Sequence, residues 1–393
     1  MALAVRGGVH YDDHLPKDLS VCELPNAERL IFAVPNGYTV AVCSGDTVLR
    51  DAVLAYHSDT SVVVSSVSGT VGKVSEYAVE ILPTDTTEQE SPLFDNFAVP
   101  NADAIVDAVR RYGIFTQSGI PLWKVLDKMK GGGELLILNA AENEPGVYSA
   151  RALMDLMPEK IAGGLKILMK ALALGKAVIA TTDAMQGYAE RIRAHFRKKD
   201  MTQIVTVMDK YPVSNPRVLY RTLTGSEREP SLRGAVIVSV MDCVSVYDLF
   251  DRGHTPIKRV VTVADKNYSV AIGTPLSQLA DLCGVVIPHG TVCHVGGLVS
   301  AREAKADEAV TASTAAIQYL SHSAVITDHC IECGKCAGCC PMGLRPMRAM
   351  TAPQRIREQM AQACIGCGVC ATVCHVGIAP NRIMGRKEGS YEN

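Results

Sequence analysis

A chain of 393 residues with 48% hydrophobic and 20% charged content is globular, and long enough for roughly two to four domains. Its formal net charge of −2 and its aromatic content of 5% supply neither the basic bias nor the stacking surface that a nucleic-acid partner requires. No apolar signal-peptide core follows Met1, and Lys166, Lys170, Lys176 and Asp183 interrupt the most apolar stretch, so no membrane span is expected.

Residues 1–95 read as short strands. Two runs rich in β-branched residues, Leu30 to Val42 and Ser61 to Val74, are split by Asn-Gly and Ser-Gly turns, which predicts a small all-β module. Residues 96–225 alternate between helical and strand periodicity. Helices are expected over 102–112, 161–174 and 186–198, and strands over 134–140, 177–181 and 203–208. Strands alternating with helices imply a parallel α/β sheet. Residues 226–316 return to short strands, at 235–240, 259–263 and 268–272, with a helix near 277–282.

Residues 317–393 hold most of the cysteines. Of 14 in the chain, nine lie between Cys330 and Cys374. A disulfide scaffold belongs to small secreted domains, whereas clustered C-x2-C spacing in a long chain points to metal binding in a reducing compartment, hence the cytoplasm. The first run is Cys330-x2-Cys333-x2-Cys336-x3-Cys340-Pro341. The second is Cys364-x2-Cys367-x2-Cys370-x3-Cys374, with His375 in place of the proline. Both follow the two-cluster bacterial ferredoxin pattern, in which the fourth cysteine of each run serves the other cluster. One [4Fe–4S] cluster is therefore expected on Cys330, Cys333, Cys336 and Cys374, and a second on Cys364, Cys367, Cys370 and Cys340. Gly334, Gly366 and Gly368 would let the backbone close around them. Zinc is the alternative for paired C-x2-C motifs. Cys339 is a supernumerary thiol, and Cys22, Cys43, Cys243, Cys283 and Cys293 read as small buried hydrophobes.

In chain order the sequence resembles the C subunit of the Rnf electron-transport complex. The resemblance rests on Gly7-Gly8-Val9-His10, on Gly45-Asp46-Thr47-Val48 through Ser68-Gly69-Thr70-Val71, and on Arg259 to Val263 with Gly273-Thr274-Pro275-Leu276 and Gly296-Gly297. It implies a multidomain α/β and α+β fold. The parts would be a lipoyl-like β barrel-sandwich over 1–95, a complex I flavoprotein-like α/β domain over 96–225, an SLBB β-grasp domain over 226–316, and a two-cluster ferredoxin over 317–393. It also implies other redox subunits as partners, with any membrane attachment peripheral and through a partner, at the inner face of the cell membrane.

The central section is similar to the flavin- and NADH-binding domain of the complex I flavoprotein. Ala141-Glu142-Asn143-Glu144-Pro145-Gly146 carries that likeness, with Arg151 beyond it. If FMN and NADH bind, Glu142 and Glu144 would position the nicotinamide and Lys124 would face phosphate. Several departures fall on that one site. The family's glycine-rich phosphate cradle becomes Ile114 to Lys124 with only Gly119 retained. Its Tyr-Pro-Gln-Gly-Gly-Glu becomes Tyr211 to Pro216, and its Asn-Val-Gly-Thr becomes Ser239 to Asp242. Backbone N–H groups approach phosphate closely where side chains are absent, so these losses predict a degenerate pocket. Two functions are then open: a relay subunit passing single electrons through two clusters, or an NADH-oxidising FMN subunit feeding them.

Overall fold

The computed structural model describes residues 2–11, 18–25, 27–84, 90–93, 101–129, 133–321 and 329–379. It shows a multidomain architecture of four sheets and a cysteine-rich C-terminal unit.

The N-terminal part contributes β1 (Val21–Glu23), β2 (Leu30–Ala33), β3 (Thr39–Val40), β4 (Thr47–Val48), β5 (Val53–Tyr56), β6 (Val62–Val64), β7 (Gly69–Val74) and β8 (Ala78–Pro83). Seven of these form two antiparallel sheets, in the orders β2-β8-β7-β4 and β3-β5-β6. Alternation along the strands sends Leu30, Phe32, Val48, Leu54, Val63, Val71, Val79 and Ile81 into one shared core.

The α/β unit follows: α1 (Ala102–Arg111), α2 (Leu122–Met129), β9 (Leu135–Ala140), α3 (Ser149–Leu156), α4 (Pro158–Ala171), β10 (Ala177–Thr182), α5 (Gln186–Ala194), β11 (Gln203–Val207), α6 (Pro216–Thr224), β12 (Ala235–Ser239) and α7 (Val240–Arg252). The four strands run parallel in the order β11-β10-β9-β12. Leu136, Leu138, Ile179, Val236 and Val238 face the helices in the largest core of the protein. The order reverses at β9, which puts the switch point between β9 and β12, at their C-terminal ends.

The third unit consists of β13 (Lys258–Val263), β14 (Lys266–Ala271), α8 (Leu276–Cys283), β15 (Thr291–Val295), β16 (Arg302–Glu303) and β17 (Ala316–Ser321). Its six-stranded sheet, β1-β14-β13-β17-β15-β16, recruits β1 from the far end of the chain. The last unit is mostly loop, with α9 (Lys335–Gly338), α10 (Gln354–Ala363) and α11 (Val369–Thr372).

Two expected domain boundaries move. The strand anticipated at 235–240 belongs to the parallel sheet, because β12 pairs with β9 from Ala235↔Leu135 to Ser239↔Asn139, and α7 packs on α4 behind it. The α/β unit therefore continues past residue 225 to Arg252. β17 crosses the boundary expected at 316/317, since its pairing with β15 makes it part of the third unit's sheet. The boundary at 95/96 lies outside the described residues.

Candidate functional site

The two cysteine runs fold as a structural repeat. Gly334 and Gly368, both at positive φ, start α9 and α11, so that each short helix carries the third cysteine of its run. One turn earlier the chain again takes a left-handed conformation, at Glu332 (φ 52°) in the first run and Gly366 (φ 68°) in the second. This bend lets the Glu332 N–H reach the Cys330 sulfur and the Gly366 N–H reach the Cys364 sulfur, both at 3.3 Å.

Each run opens onto a cavity. A small open cavity is lined by Cys364, Cys367, Cys370 and Cys340, with Met342, Leu344 and Ile365 among its apolar walls. The second is lined by Cys330, Cys333, Cys336 and Cys374, with Met347, Met350 and Ile378 in its walls. Each cavity thus takes three cysteines from one run and the fourth from the other. Among the described residues no group of three or more His, Cys, Asp or Glu side chains is close enough to hold a single metal ion. The thiols are spread around cavities instead. Burial disfavours their charged form: it raises Cys336 and pushes Cys367 up to about 12. Four soft sulfur donors around an apolar cavity are a donor set that suits an iron–sulfur cluster. Cys339 lines neither cavity and is turned toward the Cys336 carbonyl.

Both runs are locked to the rest of the protein, the first through Cys339 to Pro341 and the second through Cys367. Tyr211 is 4% exposed and donates its phenolic O–H to the Cys367 carbonyl at 2.9 Å. Arg221 donates to the Pro341 carbonyl at 2.6 Å. The N-terminal segment adds Leu3 beside Val207 at the edge of the parallel sheet, then pairs Val9 with Tyr211. Between them Gly8 donates its N–H to the Cys339 carbonyl, and a Cβ on Gly7 would lie 2.8 Å from the Cys340 carbonyl oxygen. The glycine pair is therefore needed for close approach of two backbones. Arg221 and Ser300 carried no signal in the sequence, and Tyr211 stood out only within a departed motif, because each acts through a contact distant along the chain.

Glu142 and Glu144 lie in the turn that leaves β9, at the switch point. The Glu144 carboxylate accepts the Val299 and Ser300 N–H groups at 3.3 and 2.6 Å and the Ser300 hydroxyl at 2.9 Å. It thereby fixes the loop between β15 and β16, and the far side of that loop rests on Gly368, where a Cβ would sit 2.2 Å from the Val299 carbonyl oxygen. Burial and the neighbouring Glu144 push the Glu142 carboxyl up to about 7, with Arg151 opposing. Lys124 forms an ion pair with Asp59 at 2.5 Å, bridging α2 to the N-terminal sheets. Burial of Asp59 is outweighed by Lys124, Ser61 and His57, which hold that carboxyl below the usual range. The expected nucleotide residues are thus engaged within the protein: Glu144 with the 299–300 loop and Lys124 with Asp59.

The loop that would cradle phosphate is closed on itself. Phe115 bridges Pro121, Thr116 donates its N–H to the Ile120 carbonyl, and the Gln117 N–H goes to the Asp242 carboxylate at 2.7 Å. Of the isolated cysteines, Cys243 is buried as expected, whereas Cys22 and Cys43 are exposed, since β1 is an edge strand and Cys43 lies in a surface turn.

Residues 109–247 match the family described as the Nuo51 FMN-binding domain. Over 388 residues the chain is 26% identical to the C subunit of the proton-translocating ferredoxin:NAD(+) oxidoreductase complex of Clostridium ljungdahlii, covering 88% of this chain and 83% of that protein. It is 28% identical over 354 residues to the Na(+)-translocating counterpart of Acetobacterium woodii, covering 81% and 78%. The C subunit of the ion-translocating oxidoreductase complex of Yersinia enterocolitica is 26% identical over 77% of this chain, which spans only 46% of that longer protein. Among solved structures, a chain of an NAD+-reducing [NiFe]-hydrogenase in the air-oxidized state shares the fold with a TM-score of 0.51 at 18% identity, over 72% of this chain and 60% of the hydrogenase chain. The likeness to the C subunits of ion-translocating oxidoreductase complexes is distant and consistent, and it extends over most of the chain.

Proposed function

We propose that this chain is an iron–sulfur electron-transfer subunit of a multisubunit oxidoreductase complex, relaying single electrons between partner redox proteins through two [4Fe–4S] clusters. The observation that carries this reading is the pair of cavities, each lined by four cysteines drawn from both runs. Cys330, Cys333, Cys336 and Cys374 would hold one cluster, and Cys364, Cys367, Cys370 and Cys340 the other. Bound there, such clusters supply reversible one-electron storage, at potentials that span roughly −700 to +450 mV across proteins.

The chain's own groups suit that task. Backbone N–H groups of Glu332 and Gly366 donate to cysteine sulfur, which favours added negative charge. Side chains of Met, Ile and Val line both cavities, with Leu344 added in that of the second run. The two quartets differ in exposure: Cys330 and Cys333 are exposed beside Ile331, itself 61% exposed, whereas Cys370 is buried. The first quartet is the port at which a partner docks, and the second is the inner station. We read the N-terminal sheets as a barrel-sandwich and the six-stranded unit as an SLBB domain, both serving as docking modules. No helix among the described residues is long and apolar enough to cross a membrane. We read any attachment as peripheral, through partner subunits at the inner face.

The match over 109–247 favours a second reading, an NADH-oxidising FMN subunit. One titration separates the two. The anaerobically reconstituted protein is followed by cluster absorbance on addition of NADH, with and without FMN, and then dithionite. Bleaching by dithionite alone is expected. FMN-dependent bleaching by NADH would establish the flavoenzyme instead.

A further inference from the structure

Doubly wound sheets seat ligand phosphates at the switch point, on the N-terminus of the helix that follows a strand there. In this chain that position lies behind β12, at the start of the 13-residue helix α7. It is filled from within. Asp242, 5% exposed, accepts the Ser239 N–H on one oxygen and the Gln117 N–H on the other, both at 2.7 Å. Its own N–H goes to the Ser239 hydroxyl at 3.0 Å.

The Ser239–Asp242 exchange is a capping box, which ends a helix and needs nothing more. Two features lie outside that motif. The Gln117 N–H comes from a loop 125 residues away in sequence. Arg259, also 5% exposed, reaches Asp242 electrostatically from β13, and its Nε has no hydrogen-bond partner. Its guanidinium otherwise donates to the Thr311 carbonyl at 3.1 Å. A helix N-terminus and a loop N–H converge on the Asp242 carboxylate, and the buried Arg259 guanidinium acts on it electrostatically; together they make an anion seat.

We infer that the Asp242 carboxylate is a built-in substitute for a bound phosphate group, and that by occupying this seat it closes the α/β domain to the phosphate end of flavin mononucleotide. The loop 114–121 is folded over a residue of the chain where it would otherwise fold over a ligand. The inference is independent of the electron-transfer reading, because it concerns no cysteine.

The test uses the full-length, cluster-reconstituted protein and reads amide exchange over 114–121, thermal unfolding and FMN fluorescence. Wild-type protein should leave FMN fluorescence unquenched and be indifferent to inorganic phosphate. Asp242→Ala should speed exchange at Gln117 about tenfold, the loss of one charge-assisted hydrogen bond, and inorganic phosphate should restore both the protection and the Tm. Should Asp242→Ala fail to fold, Asp242→Asn keeps the shape and an acceptor oxygen. It should exchange severalfold faster at Gln117 and still exclude FMN. Stoichiometric FMN binding by wild type or by Asp242→Asn would overturn the inference. So would Gln117 protection that neither variant changes, or that phosphate does not restore in Asp242→Ala.

Discussion

The phenol of Tyr211 and the carbonyl of Cys367 meet at 2.9 Å across 156 residues of sequence, joining the end of the parallel sheet to the inner cysteine loop. Tyr211→Phe removes the donor while keeping the ring that fills the space. The Cys367 carbonyl is then left without this partner in a half-buried place. We expect a loss of about 1 kcal/mol in denaturant unfolding. One of two electron paramagnetic resonance signals should also shift in potential, because only one cavity borders Cys367.

Gly368 sits at φ 78°, and a Cβ there would lie 2.2 Å from the Val299 carbonyl oxygen. Gly368→Ala therefore combines left-handed strain of about 1–2 kcal/mol with a forced displacement of the 296–301 loop. A loss of at least about 2 kcal/mol is expected. Faster amide exchange should follow in both the 296–301 loop and the 364–370 loop. Exchange confined to one of them would show that their contact carries little.

How far the sequence reached depends on whether a signal was local. The cysteine spacing assigns four thiols to each expected cluster, because the repeat is short and each thiol sits at a fixed offset. Part of the α/β unit was legible from periodicity, as at Ala102–Arg111 and Ala177–Thr182, whereas the helices α2, α3, α6 and α7 were not anticipated. Domain limits were not legible, since the strand at 235–240 reads with the short strands that follow it, and β1 joins a sheet whose other strands begin at Lys258. Lys124 was misleading for a related reason. A lysine near a phosphate-loop remnant suggests an anion, and the anion it meets is Asp59 of the protein itself.

Glu142 supplies a pH dependence with a definite sign. Its carboxyl titrates near 7 in the folded protein, against an ordinary 4.5, because burial and Glu144 disfavour the charge. Between those values the folded state keeps a proton that the unfolded state has released. The contribution of this group to stability is thus fully present below about pH 4.5 and is lost as pH rises through about 7, by at most about 3 kcal/mol. Glu142→Gln, an uncharged mimic of the protonated acid, should flatten that slope. Unfolding midpoints measured from about pH 4 to about 8 should converge with wild type at the acid end, with the variant the more stable at the alkaline end. Parallel curves would mean that Glu142 titrates normally.

The crossing of the two runs gives the sharpest test of the cluster assignment. Cys374 belongs to the second run by sequence but lines the cavity of the first, and Cys340 does the reverse. Cys374→Ser should therefore abolish the centre held by Cys330, Cys333 and Cys336, and cut iron from about eight to about four per chain. Adding Cys336→Ser to that variant should change nothing further, because both thiols serve one site. Adding Cys367→Ser should remove the remaining iron. If each run held its own cluster, the outcomes would exchange: the Cys336 double variant would lose everything, and the Cys367 double variant would keep half. Iron content with the paramagnetic spectra of the dithionite-reduced proteins decides between the two arrangements, and a zinc site would give neither spectrum.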